Sequence, residues 1–91
     1  MFIVEITLER ERIDLLDTFR ESMRTLEEVQ QCYYVTGKVD FIMIVSTADM
    51  KSYEEFSRRA LVEKPNLKSF ASHVVVNCVK RGRRIAVHRS T

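Results

Sequence analysis

The run Phe41-Ile42-Met43-Ile44-Val45 puts five apolar residues in a row, and it constrains the fold more than any other segment. A membrane span needs roughly 20 such residues, so the run is no membrane helix, and its Ile, Val and Phe are strand formers. Successive side chains of a strand point to opposite faces. A strand apolar in both parities needs cover on both sides and belongs in the middle of a sheet, not at its edge. The chain has 91 residues, enough for one domain that buries about 64% of its surface, a workable core but a thin one.

The flanking segments supply the rest of the sheet and its cover. Phe2, Val4, Ile6 and Leu8 alternate with Ile3, Glu5 and Thr7, the period of a half-buried strand. Ile13, Leu16, Phe19, Met23 and Leu26 then recur at helical spacing, with Asp17, Arg20, Glu21 and Arg24 on the wet side. Val29 to Thr36 and Asp40 to Val45 read as two antiparallel strands joined at Gly37-Lys38. Asp49 is placed to cap a second helix carrying Tyr53, Phe56 and Ala60, which Pro65 and Asn66 end. Phe70 to Lys80, with Val74, Val75, Val76 and Val79, reads as a last strand apolar in both parities. The order β-α-β-β-α-β predicts an α+β, ferredoxin-like plait: a four-stranded antiparallel sheet, strands one and three central, with both helices on one face.

Residues 1–81 form one unit on this reading, and 82–91 a basic C-terminal tail. The stretch from Lys80 onward holds Lys80, Arg81, Arg83, Arg84 and Arg89 and no acid, while the whole chain carries a net charge of +2. Such a tail can follow phosphates, but a short solvated extension is the commoner outcome. The first residues, with Glu5 early, do not resemble a secretory leader, so a cytoplasmic location is expected. Cys32 and Cys78 form no Cys-x-x-Cys pair and have no second ligand nearby; both are expected to be buried packing residues, with no metal site and no cofactor.

The same residues exclude several uses of this plait. A metal chaperone needs paired thiolates, and an RNA-recognition module needs aromatics in a basic, glycine-containing third strand, where this chain has only apolar residues. No glycine-rich phosphate loop is present. Two helices cover one sheet face, whereas strands three and four are apolar on both, so a second copy packed face to face is the expected cover.

The segment Tyr34-Val35-Thr36-Gly37-Lys38-Val39-Asp40-Phe41 resembles the Val-x-Gly-x-x-Asp-Tyr motif of the effector-binding (RAM) domain of the Lrp/AsnC family of transcriptional regulators. Glu28, Val29 and Cys32 ahead of it match that family's lead-in, as do Asp49-Met50, Tyr53-Glu54-Glu55-Phe56, Val74-Val75 and Val79-Lys80. The likeness covers residues 2–80. Pro65-Asn66-Leu67 stands where the family usually has Pro-Gly-Val, and Asn tolerates the left-handed backbone that glycine would adopt. Phe70 stands where a Thr is usual.

The resemblance implies a non-catalytic domain that forms homo-dimers through its sheets, assembles four dimers into an octamer and binds a free amino acid or related small metabolite between dimers. Binding then biases assembly, and through it the DNA binding of an attached helix-turn-helix. Carried over by position, the effector-binding residues are Gly37, Asp40, Met50, Ser72, His73 and Val74. Gly37 lets the backbone turn and approach a ligand. Asp40 either accepts from an α-ammonium group or ties down backbone N–H groups of the hairpin. Met50 is an apolar wall or a core residue at a helix start. The 91 residues contain no helix-turn-helix of their own, so direct sequence-specific DNA binding is not expected, nor is a membrane role. Partnership with full-length Lrp/AsnC paralogues fits the same resemblance. Two rival readings remain: a small cofactor-free enzyme of the dimeric α+β barrel type, with His73 or Asn77 in a cavity between chains, and a purely structural partner that binds no metabolite.

Overall fold

The structure, a computed structural model, describes residues 1–82, so the expected basic tail lies outside the described residues from position 83 onward. The elements in chain order are β1 (Phe2–Leu8), α1 (Ile13–Arg24), β2 (Val29–Tyr34), β3 (Phe41–Val45), α2 (Met50–Ser57) and β4 (Leu67–Val74), with a π-helical turn at Arg58–Val62 prolonging α2. The four strands form one antiparallel sheet in the order β2-β3-β1-β4. The apolar run is thus interior, as its two-sided character requires.

The core follows from the alternation in β1 and β3. Phe2, Val4, Ile6 and Leu8 are buried, and so are Phe41, Met43 and Val45, which pair with β1 on the same face. From α1, Leu16, Phe19 and Met23 join them; from α2 and its extension, Tyr53, Phe56, Ala60 and Leu61. Phe19 packs on Phe41 at 4.6 Å between ring centroids, and Tyr53 stacks on Phe2 at 3.9 Å. Both helices therefore sit on one sheet face. Among the described residues no polar or charged side chain is fully buried.

The start of α1 departs from the periodic reading. Ile13 is 77% exposed, because it is the first helical residue and helical side chains lean over the preceding turn, which does not exist there. Leu26 falls beyond the helix end yet still packs against the core. The ion pairs Asp17–Arg20 and Glu21–Arg24 form on the outer side of α1, as their spacing predicts.

The last strand also differs: β4 begins three residues earlier than expected and stops at Val74. Its ladder partner is β1, whose first strand residue Phe2 pairs with Val74, and the Val75 N–H donates to the Met1 carbonyl at 3.0 Å. Val76 and Val79, past the end of β4, are exposed at 93% and 91%, and Cys78 is exposed too, against the expectation that it packs in the interior; Cys32 is half-buried. Nor is β4 apolar on both faces, since Ser69, Ala71 and His73 lie opposite Thr7, Glu5 and Ile3 on the face away from the helices.

That outer face is nonetheless uncovered by any helix. Ile3, Ile42 and Ile44 occupy its centre with Tyr33 beside Ile42; the three isoleucines are half-buried and Tyr33 is 52% exposed.

Candidate functional site

The six residues carried over from the family resemblance fall into two groups at opposite ends of the sheet. Gly37 and Asp40 lie in the connection 35–40 between β2 and β3, which the Val35 N–H closes by donating to the Asp40 carbonyl at 3.0 Å. Gly37 has φ +138°, a conformation L side chains rarely adopt, while no atom lies within 4 Å of the place its Cβ would take. Backbone conformation, not crowding, requires the glycine here, and the space beside it is open.

Asp40 is a latch. Its Oδ2 accepts from the Leu8 N–H at 2.7 Å, and its own N–H donates to the Ile6 carbonyl at 2.8 Å. These bonds satisfy backbone groups at the end of β1, next to the register shift between Thr7 and Leu8. Glu11 stands against the same carboxylate: hydrogen bonding to Asp40, and then the charge of Asp40, hold the Glu11 carboxyl above its ordinary range. Nothing in the local sequence pattern marks Glu11, because the β1–α1 connection brings it there only once the sheet has formed.

Met50, Ser72, His73 and Val74 are at the other end. Met50 opens α2 and is 49% exposed; its helix is capped by Asp49, whose Oδ1 accepts from the Ser52 N–H at 2.8 Å. That bond holds the Asp49 carboxyl below its ordinary value. Ser72 pairs with Val4 on the helix-bearing face, and its hydroxyl meets the Tyr53 hydroxyl. Burial pushes the Tyr53 phenol up, and the bond with Ser72 opposes it. Phe70, two residues earlier, also faces the helices opposite Ile6 and packs against the core. His73 points to the outer face, where its Nε2 stands 3.7 Å from Glu5 Oε1. Val74 is 53% exposed at the end of the ladder.

From Val4, opposite Ser72, to Leu8, bonded to Asp40, is four residues of strand, about 13 Å. None of the six residues lines any of three clefts among the described residues. One, about 350 Å³, lies between α1 and β2; a shallower one of about 310 Å³ lies by Glu27, Glu28 and Ser46. The third, about 180 Å³ and mostly apolar, lies between α1 and the turn at Pro65. In that turn the structure corrects the left-handed reading of Asn66, for no described non-glycine residue has positive φ. Instead, the Asn66 side chain clamps Arg10: Oδ1 accepts from its N–H at 3.2 Å and Nδ2 donates to its carbonyl at 3.1 Å. Among the described residues no three His, Cys, Asp or Glu side chains gather to hold a metal ion, and no helix is long and apolar enough to cross a membrane.

A family model for the Lrp/AsnC ligand binding domain matches residues 1–85. The chain belongs to this family. It is 50% identical over 78 residues to an uncharacterised HTH-type transcriptional regulator, y4tD, of Sinorhizobium fredii, a match covering 86% of this chain and 46% of the relative. It is 30% identical over 87 residues to the leucine-responsive regulatory protein of Escherichia coli K12, covering 96% of this chain and 53% of that protein. The chain therefore spans about half the length of the curated relatives it matches. The fold is that of the transcriptional regulator NMB0573 from Neisseria meningitidis, solved as an L-Met complex, with TM-score 0.85 at 20% identity over 99% of this chain and 58% of that one. An AsnC family regulator from Agrobacterium tumefaciens superposes with TM-score 0.82 at 22% identity, over 93% of this chain and 55% of that one.

Proposed function

We propose that this Lrp/AsnC ligand-binding domain is an amino-acid-responsive assembly domain, active in the cytoplasm without catalysing a reaction. The observation that carries the reading is the division of Gly37 and Asp40 from Met50, Ser72, His73 and Val74 by most of the length of β1. A free amino acid is too small to touch both groups in one chain. A ligand that engages both has to lie between copies, and its binding then favours the arrangement that brings the two sheet ends together. The uncovered isoleucines of the outer face support pairing of sheets into a homo-dimer, with dimers joined further into an octamer.

In this scheme Asp40, with Glu11 beside it, receives the α-ammonium group, Gly37 leaves the backbone open for the approach, and Met50 and Val74 of another copy supply apolar walls. Ser72 and His73 offer polar contacts. That a structural neighbour was solved with L-Met makes methionine and similar apolar amino acids the first ligands to try. DNA contact belongs to a helix-turn-helix, carried by a full-length paralogue that mixes with this domain or by an attached segment.

The test is a thermal-shift screen against the twenty amino acids, with light scattering on any hit. A ligand at about one hundred times its dissociation constant adds roughly 2.7 kcal/mol to stability. Stabilisation by a small set of amino acids, together with a change in assembly and loss of both in Asp40→Asn, is the expected result. Twenty unmoved melting curves would sink the amino-acid reading.

A further inference from the structure

The cleft between α1 and β2 is separate from all six effector candidates and has a chemistry of its own. Its charged lining residues are Arg20 and Arg24, one helical turn apart on α1; no acidic residue lines it. Arg20 Nη1 donates to Asp17 at 2.8 Å and Arg24 Nη1 donates to Glu21, so each guanidinium commits one of five N–H donors to these pairs. The Arg20 guanidinium lies over the Tyr34 ring at 5.1 Å, a cation–π contact that holds the group at the cleft wall. Beneath are the buried Met23 and Phe41 and the half-buried Val29. Burial raises the Cys32 thiol pKa above its ordinary value, against the lowering effect of Arg20, so this lining group stays neutral and adds no negative charge. The volume, about 350 Å³, is in the range of small-ligand sites; an apolar cavity of about 150 Å³ already admits benzene.

We propose that this cleft binds a small aromatic carboxylate, its charge held by Arg20 and Arg24 and its ring laid on Met23, Val29 and Phe41. Two neighbouring guanidinium groups supply paired donors that match a carboxylate in geometry as well as in charge. The Tyr34 and Phe41 rings in the lining favour a planar body over a branched one. Because the apolar floor belongs to the helix-bearing face, sheet-to-sheet pairing of two chains leaves the cleft open. The site stands independently of the amino-acid reading, since it shares none of that reading's residues.

Isothermal titration of the purified protein with benzoate, and with benzyl alcohol as its uncharged counterpart, tests the assignment. Benzoate is expected to bind saturably, one per chain, and at least tenfold more tightly than benzyl alcohol. Arg20→Gln and Arg24→Gln, singly and together, are expected to weaken benzoate by tenfold or more while leaving benzyl alcohol unchanged. Both arginine side chains are outside the core, and the comparison of the two probes on the unaltered protein needs no variant. Absence of saturable benzoate binding at millimolar concentration, equal affinity for the two probes, or benzoate binding indifferent to both arginines would each overturn the proposal.

Discussion

Asp40 is tied to two roles that one substitution would confuse, and a pair of substitutions separates them. The Leu8 residue that it anchors is only 5% exposed, so a Leu8 N–H deprived of the 2.7 Å bond has little water to turn to. A hydrogen bond to a charged group contributes about 1.5–3 kcal/mol, and because Asp40 is only half-buried the lower part of that range applies. Asp40→Ala should therefore cost about 1.5–2 kcal/mol, a fall of roughly 10 °C in melting temperature for a domain of this size. Asp40→Asn keeps an acceptor oxygen in the same place and should cost about 0.5–1 kcal/mol, the difference between a charged and a neutral acceptor, while removing the charge that an α-ammonium group would meet. Urea unfolding followed by circular dichroism, at several protein concentrations to separate folding from assembly, measures both. If the alanine variant matches the wild type in stability, the latch is not a stabilising contact. If the asparagine variant is as damaged as the alanine one, the carboxylate charge rather than the acceptor geometry holds β1, and loss of ligand binding in either variant would say nothing about the ligand.

Other expectations follow from particular contacts. Asn66→Gly, which restores the family's usual residue, should lower stability by about 1 kcal/mol, because it removes both side-chain bonds to Arg10 at a position that does not use left-handed backbone; a gain in stability in urea unfolding would contradict the clamp. Tyr53→Phe keeps the stack on Phe2 and loses only the bond to Ser72, so it should cost about 1 kcal/mol, against about 3–5 kcal/mol for Tyr53→Ala in the same assay. The Asp49 carboxyl is held below its ordinary value by the Ser52 N–H, so its contribution is present above a pH of about 3.9 and lost as pH falls through the lowered folded value. Asp49→Asn, which still caps, should flatten that acid limb in melting curves taken below pH 4, and an unchanged limb would remove the cap from the account. Ile44→Lys places a charge at the centre of the outer sheet face and should yield a monomer by light scattering; an unchanged assembly would place the subunit contact elsewhere.

Much of the fold was readable along the chain because the signals are local. The alternation of Phe2 to Leu8 and the two-sided apolar run from Phe41 identify β1 and β3 and their central places, and the spacing of Leu16, Phe19 and Met23 identifies the buried stripe of α1. Asp49 caps α2 as its position suggests. The family motif likewise singled out Gly37, whose positive φ is a backbone requirement that the sequence states by omission of a side chain.

What the sequence could not decide is what depends on partners distant along the chain. The valines from 74 to 79 look like a strand, yet the ladder ends at Val74, which pairs with Phe2, the first residue of β1. Cys78, past the end of that ladder, is exposed. Asn66 reads as a turn residue until Arg10, 56 positions away, is set beside it, and Glu11, which no sequence motif marks, comes near Asp40 only through the hairpin. Residue types and periodicity determined which segments form strands and helices and which of their faces are apolar. Only the packed sheet decided where each ladder stops, which polar groups meet, and that the carried-over residues divide between its two ends, because backbone pairing distributes contacts by register and not by order along the chain.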